Sequence, residues 1–238
     1  MAIVIGVNPG GRGKFAVSAL YWSGSLPAWV IAMRAHSGVD EVLKDIMGVC
    51  GEWGELKTVA IDAPLSWSSS PTGIRTVDQT LQEKLPLWAP KTWVRPPNVI
   101  PGAIAVQGPA LAWRLAYESA QGQLSPMILV ETHPRISLAN RYPDLSQAII
   151  EYGQTAVSYN LRRLHIQKMV ERFIQESLLK FETPHPATPS ELDALVSSLV
   201  ALALAFPECG LSTELFASAE IQPVGERTVA ILSPVSSS

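Results

Sequence analysis

Four polar side chains stand at positions from which they could act together. Asn8, Asp62 and Glu131 each follow an apolar segment that is typical of a strand. A fourth, Asp193, lies in the first turn of a predicted helix. Because ligands gather at the carboxyl ends of strands in a sheet with parallel pairing, we expect these side chains to converge. Converging carboxylates repel one another unless a cation neutralises them, so the set predicts a site for Mg²⁺ or Mn²⁺.

A site of this kind has a defined chemistry, and each of its members also has a structural explanation. Two divalent ions can activate a water and stabilise the leaving oxygen of a phosphodiester. However, Asp62 precedes Ala63-Pro64 and could simply begin a turn. Glu131 could pair with nearby Arg135, and His133 could be a loop histidine with satisfied hydrogen bonds.

The position of Asp193 depends on where its helix begins. The sequence from Ser190 to Asp193 matches a capping box, in which Asp193 would serve the backbone. A better box overlaps it, with Thr188 as the cap, Pro189 at the first helical position and Glu191 at the third. This second assignment leaves Asp193 free to face a site, near a helix amino terminus that favours its ionised form.

Basic and aromatic residues alternate in the middle of the chain. Between residues 71 and 114 they are Arg75, Lys84, Lys91, Arg95, Arg114, Trp88, Trp93 and Trp113, against the acids Asp78 and Glu83. A second basic stretch contains Arg162, Arg163, Lys168 and Arg172. Basic side chains could contact phosphates and exposed aromatic rings could stack on bases. Alternatively, the tryptophans belong to the core and the charges form a solvated helix face.

The order of the predicted elements indicates an α/β fold with a mixed sheet. The predicted strands are Ile3–Val7, Phe15–Trp22, Ala28–Met33, Lys57–Ile61, Met127–Val130 and Thr228–Leu232. The predicted helices are Val39–Met47, Pro109–Ala120, Tyr159–Leu179 and Glu191–Phe206. A helix between the third and fourth strands implies a crossover and parallel pairing. We expect a single domain over residues 1–238, with a proline- and tryptophan-rich insertion over about 64–123.

The bulk composition excludes several classes of protein. The 238 residues are 47% hydrophobic and 16% charged, with a formal net charge of -3, which is untypical of a disordered or polybasic chain. Two cysteines, Cys50 and Cys209, are too few for a disulfide scaffold. The apolar run Ala194–Phe206 is shorter than the roughly 20 residues that span a bilayer. The two cysteines favour a reducing cytoplasm, and the lack of a basic leader predicts no secretion signal.

Several motifs in order along the chain resemble a known family. They are "VIGVNPGGRGKFAVSAL", "VAIDAPLSW", "IRTVDQ", "LVETHPRISL", "SELDALVSSLVALAL" and "GERTVAILSP". The set is similar to the uncharacterised domain-of-unknown-function family four-two-nine, predicted nucleases of the RNase-H-like fold. The resemblance spans nearly the whole chain and implies three antiparallel opening strands, a helix, two further strands and terminal helices.

The resemblance also implies a nuclease with Mg²⁺ or Mn²⁺ at Asp62, Glu131 and Asp193. Its first acidic position falls on Asn8, an amide that lacks the charge of the usual aspartate, so a second ion should bind more weakly. Arg135 stands where the family often has an acid. The candidate substrate-binding residues are Arg75, Asp78, Arg95, His133 and Arg162. Nucleic acid is the expected partner, with DNA and RNA both open.

Two other functions remain open at this stage. Asn8 favours a catalytically silent module that binds nucleic acid or a protein partner. The turn from Pro9 to Gly13 could instead hold a phosphate in its backbone amides, as in an actin-like nucleotide-binding protein.

Overall fold

The computed structural model describes residues 2–10, 14–68, 70–100, 103–217 and 228–234. Within these ranges one sheet contains eight strands. They are β1 Ala2–Asn8, β2 Phe15–Trp22, β3 Ala28–His36, β4 Leu56–Ile61, β5 Ile128–Thr132, β6 Leu179–Phe181, β7 Thr213–Ala217 and β8 Thr228–Leu232. The seven described helices are α1 Val39–Trp53, α2 Thr76–Lys84, α3 Ala103–Ala120, α4 Pro134–Arg141, α5 Ser146–Glu151, α6 Tyr159–Gln175 and α7 Pro189–Ala205.

The centre of the sheet has the strand order β3-β2-β1-β4-β5. The first three strands pair antiparallel, whereas β4 and β5 run parallel to β1. The short strand β6 extends one edge and the pair β8 and β7 extends the other. This mixed sheet, flanked by helices, confirms the predicted RNase-H-like fold class.

The sheet separates two hydrophobic layers because successive side chains of each strand point to opposite faces. On β1, Ile3 and Ile5 pack into the layer that contains α1 and part of α3. Val4 packs into the other layer, which is built from α7 together with α4, α5 and α6. Both faces of β1 are therefore covered, which explains why this strand is apolar throughout.

Helix α7 lies against the centre of the sheet at a distance set by Gly6. A Cβ atom at this position would lie 2.1 Å from the carbonyl oxygen of Ala194 and 2.2 Å from the backbone nitrogen of Ser198. Both of these atoms belong to the backbone of α7. Only glycine therefore allows β1 and α7 to approach so closely.

The amino terminus of α7 has the capping box that the sequence predicts. The Thr188 hydroxyl accepts a hydrogen bond from the Glu191 backbone nitrogen at 3.2 Å, and the Glu191 carboxylate accepts one from the Thr188 nitrogen at 2.9 Å. The helix begins at Pro189, so Asp193 is its fifth residue and lies in the second turn, one turn later than predicted.

Several of the predicted element boundaries were wrong. The helix predicted over Tyr159–Leu179 ends at Gln175, because Leu179 begins strand β6 beside β3. The helix predicted from Pro109 begins at Ala103 and has this proline in its interior. Short elements such as α2 were not predicted, since a helix of nine residues gives little periodicity.

Within the described ranges, every helix is either too short or too polar to cross a membrane. Cys50 and Cys209 are free thiols.

Replacing Gly6 by alanine tests the packing of α7 on the sheet. The added methyl group forces the helix away from β1, and we expect a loss of about 1 to 3 kcal/mol in the free energy of unfolding. Chemical denaturation followed by circular dichroism measures it. The matched control is Gly48→Ala on the exposed side of α1, where a Cβ meets nothing within 4 Å. This control should gain about 0.5 to 1 kcal/mol, and equal effects at both sites would contradict the packing argument.

Candidate active site

Three predicted site residues meet at the carboxyl end of the central strands. Asn8 ends β1, and Asp62 directly follows β4. The Asp62 backbone nitrogen donates to the Val7 carbonyl at 2.8 Å, which fixes the two strand ends side by side. Asp193 reaches the same place from α7, which covers this face of the sheet.

The amide of Asn8 lies between the two carboxylates. Its Nδ2 donates to Oδ2 of Asp62 at 3.0 Å and to Oδ2 of Asp193 at 3.1 Å. Its Oδ1 accepts a hydrogen bond from the Gly10 backbone nitrogen at 2.8 Å. Rotating the amide would place its oxygen against two carboxylates, so the hydrogen bonds fix its orientation. In this conformation Asn8 presents a donor to the acids and no oxygen to a metal ion.

A second layer of contacts surrounds Asp193. The Tyr152 hydroxyl donates a hydrogen bond to Oδ1 of Asp193, so both carboxylate oxygens of this buried residue have partners. The Arg135 guanidinium lies 5.1 Å from the centre of the Tyr152 ring. A Cβ at Gly153 would lie 1.8 Å from a guanidinium nitrogen of Arg135, so the glycine gives the arginine its space.

Burial and mutual repulsion determine how the two acids ionise. Loss of solvent is the largest influence on Asp62 and raises its pKa, and the nearby charge of Asp193 raises it further. Burial likewise raises the pKa of Asp193, although Arg135, Tyr152 and Asn8 oppose this effect. Arg135 lowers the pKa of both acids. A cation between the carboxylates would favour the ionised form of both acids against the effect of burial.

Glu131 does not join this pair, because the sheet register turns its side chain to the opposite face. Glu131 lies beside Ile61 on β4, and Ile61 lies beside Val7 on β1. Asn8 and Asp62 are one residue further along and therefore point to the other face. The sequence predicts that Asp62, Glu131 and Asp193 converge. In the structure Asp62 and Asp193 form a pair, and the sheet separates Glu131 from them.

Glu131 instead binds the fully buried guanidinium of Arg75. Both carboxylate oxygens accept from Arg75, at 2.6 and 2.7 Å, and Oε2 also accepts from the Leu65 backbone nitrogen at 2.8 Å. Arg75 also donates to Ser66 and to both carboxylate oxygens of Asp78. All five of its N–H groups are used. The alternative pairing of Glu131 with Arg135 was wrong.

The acids around Arg75 also form a candidate acidic cluster for a metal ion. Oxygen or nitrogen atoms of Asp78, Glu131 and His133 lie within 4.8 Å of one another. Burial raises the pKa of Glu131, but Arg75 and then His133 outweigh this effect and lower it to about 2. Because the guanidinium already binds both carboxylates, a metal ion here would have to displace it.

The predicted substrate-binding residues occupy different environments. Arg75 and Asp78 are fully buried, so direct contact with a substrate is excluded in this conformation and they serve to fasten α2 to β5. Arg95 and His133 line the cleft in front of Asp62. Arg162 lies on α6 and does not line that cleft.

The cleft in front of the acid pair has a volume of about 470 Å³ and continues into a second space of about 230 Å³. Asp62, Trp93, Arg95 and His133 border both spaces. Trp93 is partly buried and packs edge-on against Trp88, so these two tryptophans are anchored by the core. Trp113 is exposed on α3 and stacks on Tyr117, away from the cleft.

Sequence reasoning missed Tyr152, and it assigned Arg75 and Arg135 to other roles. Tyr152 follows the short helix α5, and no motif marks it. Residues 11–13 of the predicted phosphate turn lie outside the described residues, so the actin-like alternative stays a prediction.

The Arg75–Glu131 interaction predicts how stability depends on pH. Because the pKa of Glu131 falls from 4.5 to about 2 on folding, it contributes on the order of 3 kcal/mol at neutral pH. This contribution is complete above pH 4.5 and is lost as the pH falls toward 2. The difference in unfolding free energy between wild type and Glu131→Gln should therefore shrink between pH 7 and pH 3, and a constant difference would refute the interaction.

Comparison with known proteins gives a family. No curated protein sequence matches the chain. Among solved structures it is similar to T. thermophilus RuvC in complex with a Holliday junction substrate, with 12% identity and a TM-score of 0.39 over 87% of this chain and 95% of that chain. The family described as "Protein of unknown function (DUF429)" matches residues 23–214, and the chain belongs to this family.

Proposed function

We propose that the protein is a divalent-metal-dependent phosphoesterase of the nuclease type, with Asp62 and Asp193 as the protein ligands of one ion. The observation that supports it is the pair of carboxylates bridged by Asn8 at the floor of a cleft with cationic walls. Mg²⁺ commonly binds through one or two carboxylates and completes its coordination with water and substrate phosphates. A pair of acids is therefore sufficient for one ion.

The donor atoms of the pair fit such an ion. Among the described residues, Oδ1 of Asp62 accepts no hydrogen bond, and this half-buried side chain faces both parts of the cleft. Burial and the charge of Asp193 raise the pKa of Asp62, and a divalent cation would offset both effects. When bound, the ion would supply Lewis acidity for the attack of water on phosphorus.

The remaining cleft residues fit a phosphodiester substrate. Arg95 is exposed at the cleft and can form paired hydrogen bonds with phosphate oxygens. His133 also borders the cleft, with its Nε2 3.3 Å from a carboxylate oxygen of Glu131. Trp93 offers part of its ring to a base. These features support nucleic acid as the substrate class, either DNA or RNA.

Asn8 supports a second candidate, a silent module that binds nucleic acid without cleaving it. Its amide donates to the same two oxygens that an ion between the acids would use. If this amide takes the place of the ion, the cleft still has cationic walls but has no metal ion to activate a water.

Calorimetric titration with Mn²⁺ tests the proposal. Wild type should bind the ion, and Asp62→Asn should weaken binding by on the order of tenfold or more, because it removes one of two charged ligands. The matched control is Asp40→Asn, whose carboxylate is exposed on α1. Circular dichroism verifies that each variant is folded. If wild type does not bind Mn²⁺ but does bind single-stranded or duplex DNA or RNA, the result would favour the silent module.

Asn8→Asp separates the two candidates more directly. The new carboxylate would face Asp62 and Asp193, so we expect the metal-free variant to lose about 1 to 3 kcal/mol of stability. Its affinity for Mn²⁺ should increase by on the order of tenfold, because a third charged ligand replaces a hydrogen-bond donor. Thermal unfolding with and without Mn²⁺ measures both effects. A variant that Mn²⁺ does not stabilise would count against metal binding at this pair.

A further inference from the structure

We propose that Arg135 takes the place of a second divalent cation beside Asp62 and Asp193, so that the site contains one ion and one fixed guanidinium. This inference rests on the proposed function, since it concerns the ion bound by the same two acids. The observation behind it is that Arg135, Asp62 and Asp193 line one cleft.

The guanidinium has a defined position. Arg135 is the second residue of α4, which begins directly after β5 and its His133 cap. The Tyr152 ring lies 5.1 Å from its central carbon, and Gly153 leaves the space that its nitrogen atoms fill. Tyr152 in turn donates to Asp193, so one tyrosine positions both the cation and the acid.

Arg135 influences the ionisation of both acids without binding their carboxylate oxygens. Its charge favours the ionised form of each carboxylate, yet among the described residues it makes no ion pair with either. In the part of the chain that the structure describes, Oδ1 of Asp62 therefore stays available to a ligand, whereas Asn8 and Tyr152 bind the other carboxylate oxygens. A guanidinium in this place can bind a phosphate oxygen while the acids bind the ion.

The charge balance of the site fits one ion better than two. When both acids are ionised, Asp62, Asp193 and Arg135 together carry a single net negative charge, since Asn8 is neutral. One divalent cation reverses this charge, whereas a second would have to approach both the first ion and Arg135. Repulsion between cations is strong where water is largely excluded. The guanidinium therefore supplies positive charge for the leaving oxygen, which is the task of the second ion in two-metal sites.

Counting bound Mn²⁺ by calorimetry and native mass spectrometry tests this inference. Wild type should bind one ion per chain. Arg135→Gln removes the competing charge and should either admit a second ion or increase affinity for the first by on the order of tenfold. Arg135→Lys preserves the charge and should behave like wild type. A purely structural role for Arg135 would change neither stoichiometry nor affinity.

Two further variants complete the test: one displaces Arg135 without replacing it, and the other is a control. Gly153→Ala leaves the arginine in the sequence but fills its space, so it should shift Mn²⁺ binding in the same direction as Arg135→Gln. Arg163→Gln is the matched control, because Arg163 also lies over a tyrosine ring, that of Tyr159 on α6. It should leave Mn²⁺ binding unchanged.

The outcomes distinguish this inference from the proposed function. One ion in wild type and unchanged binding in folded Arg135→Gln would overturn the role of Arg135 and leave the metal site intact. Two ions in wild type would also overturn it, while supporting a metal-dependent enzyme. No ion in wild type or in any variant would overturn both proposals.

Discussion

The buried guanidinium of Arg75 connects the sheet to the wall of the cleft. It binds Glu131 on β5, Ser66 in the segment after β4 and Asp78 on α2, and none of its N–H groups is left without an acceptor. Burying three charges is costly, and it is tolerated only when each charge is paired and fully hydrogen-bonded. Removing one partner would leave uncompensated charge in the interior.

The wall that this interaction fastens is the one that faces the acids. Val77 and Leu81 of α2 form a small apolar cluster with Val94 and Ile136. Val94 lies between Trp93 and Arg95, both of which border the cleft. Arg75 thus stabilises the helix and the segment that form the cleft wall, and it does not itself line the cleft. Its neighbour Glu131 is part of the same support, although its position at a strand end resembles that of Asp62.

The fold and half of the site were accessible from the sequence for a physical reason. Strands and their ends are local features, and the alternation of β1 and the end of β4 place Asn8 beside Asp62. The Thr188 cap is equally local, and it allowed Asp193 to be recognised as free of capping. Which face a side chain takes at a strand end depends on the register between strands, so the separation of Glu131 was not predictable. The pairing of Arg75 with Glu131 joins residues that are 56 positions apart, and no short motif records it.

The glycine contact between β1 and α7 has a consequence for how this site can evolve. The spacing of the strand and the helix is set by backbone atoms at Gly6, two residues before the position that differs from the acidic pattern. The frame therefore does not depend on whether residue 8 bears a charge. Asparagine and aspartate have nearly the same shape, so a lineage could exchange one for the other without rebuilding the surrounding layers. Under the proposed function, a change at residue 8 would then alter metal binding while the architecture stays the same.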